Sequence, residues 1–125
     1  MRMLHAGRAL LLRDAAMGTH LWFVLTDPDP QAMVVVMLVS VKPHTDRTLQ
    51  LDQGDHPFIR HPSAVDFGTA RYVPAGKLEA ALASGRAELH SDMSATLLGR
   101  VRAGLLASSR TPNEIADYCR ARFTA

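Results

Sequence analysis

The stretch Met33–Val41, MVVVMLVSV, is apolar at every position except Ser40. A strand with one wet face alternates apolar and polar residues, so an unbroken apolar run of this kind, rich in β-branched valine, predicts a strand covered on both faces. Its place is the centre of a sheet.

The neighbouring segments read as the other strands. Leu21–Thr26 is aromatic and β-branched and is stopped by Asp27, Pro28, Asp29 and Pro30, a strand ended by a turn. Ala9–Leu12 is too short for periodicity to separate a buried strand from one helical turn, and we read it as a strand. After the polar turn KPHTDR, TLQLD alternates Leu49 and Leu51 with polar residues, the period of a half-buried strand, and SAVDF from Ser63 to Phe67 suits another. Hairpin-length spacings favour an antiparallel sheet that curls into a small barrel.

The last third changes character. KLEAALASGR places Leu78, Ala81 and Leu82 at helical spacing with Gly85 as its C-terminal stop. MSATLLGRVRAGLLAS sets Leu97, Leu98, Val101 and Leu105 on one stripe. TPNEIADYCRARF carries a start signal, with Thr111 as N-cap, Pro112 at the first helical position and Glu114 completing a capping box. Strands followed by two to three C-terminal helices predict an α+β fold: a small, strongly bent antiparallel sheet or barrel over about residues 8–73 and a helical part over about 76–123.

Composition narrows the class. The chain has 125 residues, 47% of them hydrophobic and 21% charged, which suits one packed domain over 1–125 and not a disordered chain. A net charge of +2 permits nucleic-acid binding without requiring it. One cysteine, Cys119, excludes an internal disulfide and a four-cysteine zinc site, as expected in a reducing cytoplasm. The apolar run Ala9–Leu12, closed by Arg13 and Asp14, is shorter than an export signal, and no run is long enough to span a membrane.

On its strand pattern the chain resembles the PemK/MazF toxins of bacterial toxin-antitoxin pairs. HLWFVLTDP matches the family strand that ends in a small hydroxyl residue, here Thr26, and VVVMLVS matches the aliphatic strand closed by Thr-Ser. SAVDFGTAR matches a later serine-led strand, and Ser94–Ser109 the final helix. The resemblance implies an SH3-like barrel, cleavage of single-stranded RNA, a homodimer and an antitoxin partner. The family's arginine falls here on His20 and its threonine on Val39, which leaves Ser40 of the Thr-Ser pair.

RNA cleavage by internal attack needs a base for the 2′-OH, an acid for the 5′-oxygen and a cation for the phosphorane. Histidine suits the proton transfers because its ordinary pKa lies near working pH. His20, His56 and His61, with Ser40, are the candidate catalytic residues, and Lys42, Arg47 and Arg60 the candidate phosphate holders. Trp22 is a candidate for stacking on a base. Each has a structural alternative: His20 as a hydrogen-bonded residue at a strand start, the prolines 57 and 62 as loop stiffeners, Trp22 as core, and the arginines 100, 102, 110, 120 and 122 as a solvated helical face. Asp55, His56 and His61 match no metal-binding spacing, and no phosphate loop or dinucleotide fingerprint occurs, so neither metal nor cofactor is expected. The alternative function is the same barrel as a non-catalytic module that binds protein or nucleic acid.

Overall fold

The computed structural model describes residues 4–16 and 18–123; the expected domain limits at 1 and 125 lie outside them. In chain order the elements are β1 (Ala9–Asp14), β2 (Gly18–Val24), β3 (Ala32–Ser40), β4 (Gln50–Leu51), β5 (Ser63–Pro74), α1 (Ala75–Ser84), β6 (Ala87–His90), α2 (Ala95–Ala107) and α3 (Asn113–Phe123). The strands form one antiparallel sheet in the order β4-β5-β3-β2-β1-β6. This half-barrel with three helices is the α+β fold expected.

Both faces of β3 are covered. Val34, Val36 and Leu38 join Leu21, Phe23, Val65 and Phe67 in a core closed by Leu97, Val101 and Leu105 of α2 and by Ile115 and Cys119 of α3. Met33, Val35 and Met37 join Leu10, Trp22 and Val24 in a second core closed by Leu78 of α1. Each such side chain, fully buried, contributes about 1.5–3 kcal/mol. The uniform apolarity of β3 therefore follows from α1 on one side and α2 with α3 on the other.

The sheet bends where β3 and β5 slip register between Val35 and Met37. There the Met37 N–H donates to Thr69 Oγ1 at 3.0 Å, and a side-chain hydroxyl replaces a ladder carbonyl. Serine 63 thus begins a strand that runs well beyond the expected Phe67, across the full length of β3.

Three elements differ from expectation. TLQLD keeps only Gln50 and Leu51 as strand, because Asp46 Oδ1 accepts both the N–H and the hydroxyl of Thr48 and holds the preceding residues in a turn. The segment expected to be helical contains β6, which pairs with β1 (Leu10 opposite Leu89). Gly85, in the left-handed region at φ 81°, ends α1 and turns the chain back, and four residues are too few to show a period. Thr111 does not head α3 as the expected cap: its hydroxyl donates to the Leu105 carbonyl at 2.7 Å, while Pro112 O accepts the Ala116 N–H.

Of the C-terminal arginines, Arg100, Arg110, Arg120 and Arg122 are exposed, as a solvated face requires, and Arg102 is half-buried, but several are also anchored. Arg102 donates twice to the Leu25 carbonyl, at 3.1 and 2.8 Å, Arg100 pairs with Asp55 at 3.0 Å, and Arg122 pairs with Asp29 at 2.9 Å. They tie the helices to the ends of the strands.

Candidate active site

The antiparallel ladder brings three strand ends to one end of the sheet. Ser40, last in β3, lies opposite Ser63, first in β5. The β2–β3 register, Trp22 opposite Met37 and Phe23 opposite Val36, carries the start of β2, with His20, toward the same end. Loops 41–49 and 52–62 leave from there.

Three adjoining recesses open at this end, and His20 lines all of them. One of about 200 Å3 unites His20, Ser40, Arg60, His61 and Ser63. A second, of about 520 Å3, unites His20 and Ser40 with Lys42, His44, Asp66 and Arg110. A third, of about 20 Å3, joins His20 to Trp22 and Arg71. Of the expected residues, His20 and Ser40 share one recess with Arg60 and His61 and the next with Lys42. Arg47 stands outside those walls and donates to the Lys42 carbonyl at 3.3 Å.

His56 is placed elsewhere, which corrects its expected catalytic position. It is buried, 3% exposed, with its ring against Phe23 and His90. Both ring nitrogens are occupied: Nε2 lies 2.7 Å from the Ser91 carbonyl, to which it must donate, and Nδ1 accepts the Phe58 N–H at 3.1 Å. Burial pushes its pKa down, the Ser91 contact opposes this, and His90 adds to it. The ring acts as an anchor for the loop, together with buried Ile59 and the Asp55–Arg100 pair. Those anchors leave Arg60 and His61 exposed over the smaller recess.

His61 is oriented differently. Its Nδ1 lies 3.2 Å from the Pro62 carbonyl, which can only accept, so Nδ1 is the donor, and in a neutral ring Nε2 is the nitrogen left with a lone pair. Trp22, expected to stack on a base, is 6% exposed in the second core, with the Arg71 guanidinium 4.7 Å above its ring. Its face is already covered.

The Lys42 loop is held by Asp46, whose Oδ2 accepts Ser108 Oγ at 2.6 Å from the end of α2. Burial pushes the Asp46 carboxyl up, but the hydrogen bonds from Ser108 and Thr48, with Arg110 nearby, hold it below its ordinary value. Arg110 also donates to the His44 carbonyl at 2.8 Å. Sequence reasoning missed Asp66, His44 and Arg110 as wall residues. Asp66 was discoverable, because it sits between buried Val65 and Phe67 and so projects from the opposite face. Among the described residues no group of three histidines, cysteines or carboxylates is placed to hold a metal ion, and no helix is long and apolar enough to cross a membrane.

No protein-family profile and no curated protein matches the chain. Solved structures do. A MazE-MazF crystal structure from Deinococcus radiodurans is similar with a TM-score of 0.56 and 19% identity, covering 86% of this chain and 95% of that one. An endoribonuclease in complex with its cognate antitoxin, from Mycobacterial species, is similar with a TM-score of 0.54 and 12% identity, covering 90% and 98%. The chain has a MazF-like fold. The matches span most of this chain and nearly all of the two solved chains, so the likeness is one of the whole fold. At such identities the likeness extends to the fold and not to the chemistry.

Proposed function

We propose that this protein is a toxin-related endoribonuclease that cleaves single-stranded RNA without a metal ion. The observation that carries the reading is the position of His20, common to all three recesses and beside Ser40, His61, Arg60 and Lys42. Exposed Arg60 lines one of the recesses that His20 shares with Ser40 and exposed Lys42 the other, so each offers a positive charge to a phosphate near His20.

In the proposed reaction His61 Nε2 takes the proton of the 2′-OH, and the 2′-oxygen attacks phosphorus. The bond to the 5′-oxygen breaks, and protonated His20 supplies the proton to that leaving oxygen. The products are a 2′,3′-cyclic phosphate and a 5′-OH, with one proton taken and one returned. Ser40 donates its hydroxyl to a non-bridging oxygen, and Arg60 with Lys42 stabilises the charge that develops there. The partners proposed by likeness are a second copy of the chain and an antitoxin, since the mycobacterial relative is itself bound to one.

Purified protein incubated with single-stranded RNA in EDTA tests this. Fragments ending in cyclic phosphate support it, and intact RNA at large protein excess contradicts it. The second reading, a binding module, is favoured by His20 and Val39 standing where the resemblance places arginine and threonine. It predicts RNA retained but uncut.

A further inference from the structure

A separate cavity of about 430 Å3 lies between α1 and the sheet, in the size range of small-molecule sites. Its walls are aliphatic, from Leu10, Val35 and Val73 below and Leu78 and Ala81 above, with Trp22 as the one aromatic ring. Its polar lining residues are Arg71, Lys77 and Arg86, all exposed cations. No carboxylate lines it, and among the described residues none of the three is in an ion pair. Arg71 lies over the Trp22 ring at 4.7 Å, and Arg86 Nε donates to Ser84 Oγ at 3.3 Å.

Three unneutralised cations around an aliphatic chamber are matched by one ligand chemistry: an aliphatic body that ends in an anion. We propose that this cavity binds a free aliphatic carboxylate, with the chain against Leu10, Val35, Val73 and Leu78 and the head between Arg71, Lys77 and Arg86. The site is distinct from the RNA reading and does not depend on it, although it borders the recess of His20 through Leu12, Trp22 and Arg71. A neutral chain of equal length would gain no charge-assisted hydrogen bond from these exposed groups, and a cationic one would meet like charge.

Trp22 is the only tryptophan in the chain, so its emission reports on the cavity directly. The full-length protein is titrated with decanoate below its micelle concentration, and binding is checked by calorimetry. The expected result is a saturable change with decanoate and none with acetate, and binding at least about tenfold weaker for decanol or decyltrimethylammonium. Lys77→Gln with Arg86→Gln, both at exposed positions, should weaken decanoate by about tenfold or more while leaving the melting curve unchanged. The proposal is overturned by no saturable binding, by equal binding of decanol, or by charge variants that bind as wild type. An acidic amphipathic peptide that binds where decanoate does not, or Trp22 emission that shifts on protein dilution alone, would assign the cavity to a peptide or to a second copy and likewise overturn it.

Discussion

His56 Nδ1 accepts the backbone N–H of Phe58 at 3.1 Å, and this bond requires an unprotonated nitrogen. A protonated ring would turn two N–H groups outward and set one against the Phe58 donor. The ring is therefore neutral in the folded chain, consistent with burial lowering its pKa below the ordinary 6.5.

The sign of the pH dependence follows. An unfolded chain binds a proton at this histidine near pH 6.5 and the folded chain only at lower pH, so its stabilising share is complete above 6.5 and is lost as pH falls. Thermal melting should decline from about pH 7.5 to about pH 5. His56→Leu should be less stable at neutral pH, because Phe58 N–H and Ser91 O lose their partner, yet have a flatter pH profile. A variant that keeps the wild-type slope would remove His56 as the cause. His90, whose ring lies 5.4 Å from that of His56, is the control substitution.

Ser108→Ala removes the hydroxyl that donates to buried Asp46 at 2.6 Å. A hydrogen bond to a charged, buried acceptor contributes about 1.5–3 kcal/mol, and chemical denaturation should show a loss of that order. Proteolysis in loop 42–48 should be faster in the variant, since the bond from Ser108 to Asp46 is one of the loop's ties, beside that from Arg110 to the His44 carbonyl. In wild type the share due to Asp46 should persist above its ordinary pKa of 3.8 and fade only in stronger acid, because its folded pKa lies lower.

Gly104→Ala tests the packing of α2 on the sheet. A Cβ there would stand 2.6 Å from Cζ of Phe67, a fully buried ring. Overpacking costs about 1–3 kcal/mol, against about 1 kcal/mol gained in helix propensity. The urea midpoint should fall. An unchanged or raised midpoint would mean that Phe67 has room to move.

The scaffold was legible where pattern and burial coincide. Met33–Val41 reads as a central strand because its valines and methionines face two cores, and Gly85 reads as a helix stop because only glycine adopts its φ of 81° readily. β6 was not legible, since its pairing with β1 is a long-range event written over four residues. At the candidate site, GDHPFIRHPSAVDF offers two histidines, of which only His61 lines a recess with His20. Residue type could not show that His56 turns inward to Ser91 while His61 stays outside. Arg110 and His44 were hidden for the same reason, because only the fold brings them to His20.

The central claim is that His20 transfers a proton during RNA cleavage. The most direct test is the single-turnover rate on single-stranded RNA in EDTA, for wild type and His20→Ala, with folding checked by circular dichroism and RNA affinity measured in parallel. The account predicts that His20→Ala binds RNA but cuts it about 10²–10⁴ times more slowly. Cleavage by His20→Ala at the wild-type rate would contradict it.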